Sequence, residues 1–142
     1  MTYAKQDATE AFDQLQLLNK QLSPKFERCA GISPSRLHLL MKLFEANELS
    51  QTELQKQVGI DSAAITRHLK QLEASNMVTR RTNPDDNRIT LVLLTPQGHQ
   101  KMETYCLERQ TFMNQLFSGF SPEDTQVLTA LLARLIQNIE KL

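Results

Sequence analysis

Apolar residues recur every three or four positions through most of the chain, the spacing of helices that turn one face to a core. From about Asp7 to Arg28, Phe12, Leu15, Leu18, Leu22 and Phe26 make the first such stripe, and Pro24 is expected to bend the helix that carries it. Ser33 followed by Pro34 predicts a cap and a first-turn proline for a second helix, with Leu37, Leu40, Met41 and Phe44 on its apolar face and an end near Asn47. Ser50 and Glu53 have capping-box spacing before a short helix in which Leu54 and Val58 face inward and Gly59 closes the last turn. Asp61 or Ser62 then caps a helix whose Ile65, Leu69 and Leu72 share one face, while Thr66, Arg67 and Lys70 share a polar, basic one.

The period changes after Asn76. Met77 to Thr82 and Ile89 to Thr95 are extended in character and flank the turn-rich Asn83, Pro84, Asp85, Asp86 and Asn87, which predicts a hairpin with a polar tip. Thr95 and Pro96 repeat the cap-and-proline start, and Met102, Tyr105, Cys106, Phe112, Met113, Leu116 and Phe117 mark a long fifth helix ended by Gly119. Ser121, Pro122, Glu123 and Asp124 open a last helix with a cap, a first-turn proline and two acids suited to its positive dipole end. Val127, Leu128, Leu131, Leu132, Leu135, Ile136 and Ile139 follow at helical spacing. The predicted fold class is mainly α with one small β-hairpin.

Length and composition narrow the function. A chain of 142 residues with 40% hydrophobic and 23% charged residues suits one globular domain. Sixteen basic residues balance sixteen acidic ones, so any contact with nucleic acid depends on how the basic residues are arranged. The two cysteines, Cys29 and Cys106, lie far apart and outside any Cys-x-x-Cys pair, for which a reduced, cytosolic setting is the simplest reading. No stretch reads as a signal peptide or a membrane span, so a soluble protein is expected.

Helix, turn around Gly59, polar helix and hairpin spell a winged helix-turn-helix running from about residue 32 to residue 100. Ser62, Ala63, Thr66 and Arg67, near the N-terminal end of the second helix, are the candidates to meet base edges or thymine methyls, with Lys70 and His68 further along. Between Ser62 and Arg88, the basic Arg67, Lys70, Arg80, Arg81 and Arg88 exceed the acidic Glu73, Asp85 and Asp86 by two. A polar helix face is more often merely solvated, and a hairpin between helices is more often packing. The long spaced signature shifts that balance: Asp86-x-Arg88 precedes five mainly apolar residues and then Leu94-Thr95-Pro96-Gln97-Gly98. The chain thereby resembles the multiple-antibiotic-resistance regulator (MarR) family over essentially all its length, including the recognition segment Ser62-Ala63-Ala64-Ile65-Thr66-Arg67-His68-Leu69.

The resemblance implies a DNA-binding transcriptional regulator, a repressor acting on a palindromic operator of double-stranded DNA, with Arg88 reaching the minor groove and Asp86 holding the shape of the wing. A narrow minor groove concentrates negative potential and attracts an inserted arginine. Asn87 departs from the pattern, since many relatives carry a basic residue there, which weakens the expected grip on phosphate. Residues 1–31 and 101–142 carry more apolar surface than the winged part needs, and the resemblance assigns them to a twofold homodimer, which would set two recognition helices about 34 Å apart. Packing within one chain is the other way to cover those stripes. The family also implies an effector, either a small aromatic anion, with Phe12, Phe26, His38, Met41 and Tyr105 as candidate pocket residues, or an oxidant sensed by cysteine.

Cys29, with Arg28 beside it, is the candidate redox residue, although inert packing in the core is commoner and the family's peroxide sensors carry their cysteine nearer the start of the first helix. Cys106 is expected on the apolar side of its helix. Other classes fit less well. The three histidines do not converge with cysteines or acids at ligand spacing, no glycine-rich phosphate loop is present, and neither catalysis, cofactor nor metal is indicated. A helical interaction adaptor without DNA binding fits the composition but leaves the wing signature unexplained.

Overall fold

Local capping chemistry sets where most helices begin. A computed structural model describes the backbone of residues 2–142 and the side chains of residues 8–142. The elements run α1 (Thr2–Ala30), α2 (Pro34–Ala46), β1 (Glu48–Ser50), α3 (Gln51–Val58), α4 (Ser62–Ala74), β2 (Val78–Asn83), β3 (Asp86–Leu94), α5 (Pro96–Leu116) and α6 (Pro122–Glu140). Side-chain oxygens of Ser33, Ser50, Asp61 and Ser121 accept backbone N–H groups in the first turns of α2, α3, α4 and α6, satisfying donors that a helix start leaves unpaired. At α6 the box is reciprocal: Asp124 N–H donates to Ser121 Oγ and Ser121 N–H to Asp124 Oδ2, both at 3.0 Å. At α3 the Ser50 half forms, and the Glu53 carboxylate accepts from Gln57 Nε2.

The mainly helical class holds, and three features differ from the sequence expectation. Helix α1 begins before Asp7. The hairpin strands reach to Asn83 and Asp86, leaving Pro84 and Asp85 as the turn, and a third strand, β1, pairs with β3 through Glu48 and Leu93, Leu49 and Val92, and Ser50 and Leu91. The sheet is antiparallel in the order β1-β3-β2. On α2 the buried residues are Leu37, Leu39, Leu40 and Leu43, so the apolar face is rotated away from the expected Phe44, which is about half exposed and stacks its ring at a tilt against His99. The reason is that α2 packs against α1, α3, β1 and β3, and these neighbours require a broader buried arc than one stripe.

The chain divides into two compact units, residues 1–109 and 110–142, and the boundary falls inside α5. In the first unit the core gathers Phe26, Ile32, Leu37, Leu39, Leu40, Leu43, Leu54, Ile65, Leu69, Leu72, Met77, Val78, Val92, Leu94 and Met102. In the second unit Phe117 and Phe120 meet edge to face and α6 has no buried residue, leaving Val127, Leu131, Leu135, Ile136 and Ile139 about half exposed or more. No helix among the described residues is long and apolar enough to cross a membrane.

Candidate nucleic-acid interface

Helices α3 and α4 are joined by a turn that opens with a left-handed residue. Gly59 takes φ 67° and donates its N–H to Gln55 O, so α3 ends in the left-handed region that glycine adopts without a Cβ penalty, and Asp61 restarts the chain as the cap of α4. Leu54 on α3 and Ile65 and Leu69 on α4 are fully buried, which fixes the rotation of α4 about its own axis. The opposite face is thereby turned outward, and Ser62, Ala63, Thr66, Arg67, Lys70 and Gln71 line one open concavity on it. Thr66 donates its hydroxyl proton to Ser62 O at 2.8 Å, which leaves its oxygen as an acceptor. All five α4 residues expected at a DNA surface are brought together there, and Gln71 joins them; its place one turn beyond Arg67 was the signal that could have found it.

The hairpin places the remaining candidates differently from one another. Arg88 donates its backbone N–H and Nε to Asp86 Oδ1 at 3.0 and 3.1 Å and Nη2 to Oδ2, while its side chain stays 90% exposed. These bonds to Arg88 hold the Asp86 carboxyl below its usual range, so it stays ionised and continues to brace the tip. Arg80 is turned back into the fold: Nη2 meets Glu73 Oε1 at 2.6 Å and Nη1 reaches Gln51 Oε1, tying β2 to α4 and α3. Arg81 pairs with Glu48 across the sheet at 2.9 Å. Of the five basic residues counted from the sequence, Arg80 and Arg81 are therefore engaged within the fold.

His68 follows Arg67 on α4, and burial, then the charges of Arg67 and Arg36, lower its pKa from the ordinary 6.5. Its Nδ1 and the Nε of Arg36 are buried without a hydrogen-bond partner among the described residues. Because the folded state binds the His68 proton less readily than the unfolded chain, stability at neutral pH should be lost as pH falls below about 6.5, toward the lowered folded value. Thermal melts between about pH 7 and 5 are expected to drop more steeply for wild type than for His68→Gln, and parallel curves would contradict the assignment.

A second cavity, of about 410 Å³, is lined by Phe26, Pro34, Leu37, His38, Met41, Lys42, Glu45 and Arg109. It brings together three of the expected pocket residues. Phe12 and Tyr105 do not line it: Phe12 is exposed on α1, and Tyr105 packs its ring beneath the Lys101 ammonium. Lys42, Glu45 and Arg109, which sequence reasoning missed, add two cations and one carboxylate to the lining; the signal available was Lys42 next to Met41. Cys29 is exposed, not a core residue, and Cys106 is exposed too, so its helix does not shield it. Among the described residues no group of His, Cys, Asp or Glu is placed to hold a metal ion.

A capped two-helix element with its polar face outward, backed by a three-stranded sheet whose hairpin projects beside it, defines a winged helix-turn-helix protein. The chain matches the MarR family over residues 32–90, and it is 50% identical to the uncharacterised HTH-type transcriptional regulator YdgJ of Bacillus subtilis, over 96% of this chain and 83% of that one. It belongs to the MarR family of helix-turn-helix transcriptional regulators. The HTH-type transcriptional repressor YetL of the same organism is 28% identical over 97% of this chain and 87% of its own. Among solved structures, a variant of Escherichia coli MarR complexed with operator DNA shares the fold with a TM-score of 0.80 at 23% identity, over 91% of this chain and 95% of that one.

Proposed function

We propose that the protein is a homodimeric repressor that binds a twofold-symmetric operator through α4 and the wing and is released by a small aromatic anion. The observation that carries this reading is the outward face of α4, where Ser62, Ala63, Thr66, Arg67 and Lys70 lie together next to a wing that holds Arg88 almost fully in solvent. Short residues at the start of α4 leave room for close approach to base edges, Arg67 supplies the donors that match guanine, and Arg88 supplies a cation for the minor groove. The operator complex formed by the MarR variant of the same fold supports this docking, and the repressor YetL supports the direction of control. Dimerisation is supported by α6, whose leucine and isoleucine stripe nothing within the second unit covers. The cavity lined by Phe26, Leu37 and Met41, where Lys42 and Arg109 outnumber Glu45 by one charge, suits a ligand with an apolar ring and a negative group, with His38 a further polar contact.

The test is gel retardation on genomic fragments that the protein recovers, with wild type and Arg88→Ala compared across a salt series and with small aromatic carboxylates added. Arg88→Ala is expected to weaken binding and to reduce the log–log salt slope by about 0.9, the value for one phosphate left without its cation. The thermal melt should stay nearly unchanged, because the side chain is exposed and its only ion pair lies at the wing surface. Unaltered binding at every salt concentration would overturn the role of Arg88, and no retardation by wild type would overturn the reading as a whole.

A further inference from the structure

The segment Leu94-Thr95-Pro96-Gln97-Gly98 lies outside the surface described above, yet it contains the only buried polar side chain among the described residues, Thr95. The Thr95 hydroxyl donates to Asn76 O at 2.6 Å and accepts the Gly98 N–H at 2.9 Å, while the Thr95 N–H donates to Met77 O at 3.0 Å. One residue thus bonds both the chain leaving α4 and the first turn of α5. Asn76, held at φ 60°, adds a bond from its Nδ2 to Gln97 Oε1 at 2.9 Å. Gly98 completes the joint: a Cβ there would stand 2.3 Å from Met77 O, a backbone atom that cannot retreat without breaking its bond to Thr95. The first turn of α5 is therefore seated directly on the peptide that follows the recognition helix, and a buried, fully paired set of hydrogen bonds of this kind resists bending.

We propose that Thr95 and Gly98 are positioning residues for operator recognition: they lock the direction in which α5 leaves the winged module to the axis of α4. This rests on the dimeric DNA-binding reading. In a dimer, two recognition helices engage two half-sites together only if their separation and tilt are held, and the gain from binding both halves at once disappears when geometry forbids simultaneous engagement. A loosened joint leaves each winged module able to bind a half-site alone but spoils the pair.

The experiment compares the full operator recovered by the protein, a single half-site, and versions with one or two base pairs added between the halves. It uses wild type, Thr95→Val, Thr95→Ser, Gly98→Ala and Gln97→Ala, at a temperature where circular dichroism and sedimentation show each to be folded and dimeric. Thr95→Val keeps the shape of the side chain and removes the hydroxyl; Thr95→Ser restores it. The expected result is half-site affinity retained while the full-site advantage falls by about tenfold or more for Thr95→Val and Gly98→Ala, with relaxed spacing preference and rescue by Thr95→Ser. Gln97→Ala removes only an exposed bond, keeps the test open if the buried variants fail to fold, and should lower the same ratio by a smaller factor. A folded, dimeric Thr95→Val or Gly98→Ala with the wild-type ratio and spacing preference, or, where those two do not fold, a Gln97→Ala with the wild-type ratio, would overturn the proposal and leave the joint a matter of stability. Wild type that gains nothing from a second half-site would instead overturn the dimeric reading beneath it.

Discussion

Replacing Arg67 by alanine should cost about 1–3 kcal/mol of operator affinity for each base that the guanidinium reads and should relax sequence preference at the corresponding position. Arg67 is exposed on the outward face of α4, in the second turn after the Asp61 cap, where side chains of a recognition helix reach base edges. Unlike Arg80 and Arg81, it has no ion-pair partner among the described residues, so its guanidinium fork reaches DNA without first breaking a bond in the protein. Lys70, one turn further along, is a point charge and should act on phosphate, so Lys70→Ala is expected to weaken random and specific DNA alike. Measured side by side, the two variants should differ in the ratio of operator to random-DNA affinity. Equal losses on both DNAs for Arg67→Ala would contradict base reading by this residue.

A larger effect is expected from charging the uncovered stripe of α6. Leu131 and Leu135 lie one turn apart and are about half exposed, so Leu131→Glu combined with Leu135→Glu removes nothing from a core within the chain. If this stripe pairs two copies, burying four carboxylates against apolar side chains is prohibitive, and the double variant should sediment as a monomer at micromolar protein while the winged part keeps its helical signal. Operator affinity should fall about 10²–10⁴-fold, the drop expected when two linked half-site interactions become independent. A variant that remains dimeric, or that becomes monomeric and still binds the full operator as wild type does, would overturn the role of α6.

Much of this arrangement was legible in residues whose role is local. Ser33, Ser50, Asp61 and Ser121 announce helix starts because a cap needs only the next three residues to make its bond. Gly59 announces the turn because the left-handed conformation selects glycine. The face of α4 that carries Arg67 and the one that carries Ile65 and Leu69 follow from helical period alone, which is why the α4 residues singled out from the sequence share one outward face.

What the sequence by itself determined about this protein is therefore the order of its helices, the wing and the polar face of the recognition helix, all of which depend on neighbours a few positions apart. The tertiary structure alone decided the rest. A three-residue strand such as β1 has no periodicity to show and exists because Glu48, Leu49 and Ser50 find partners on β3 more than forty positions away. The burial of Leu39 and Leu43 in place of Phe44 depends on which elements surround α2. Charge is read from sequence but availability is not: Arg80 is held by Glu73 and Gln51, Arg81 by Glu48, and Arg88 stands free of all but Asp86, and only the folded distances separate these three equal-looking arginines. The same holds for Thr95 and Gly98, whose bonds to Asn76 and close approach to Met77 join segments that helical and strand periods treat as unrelated.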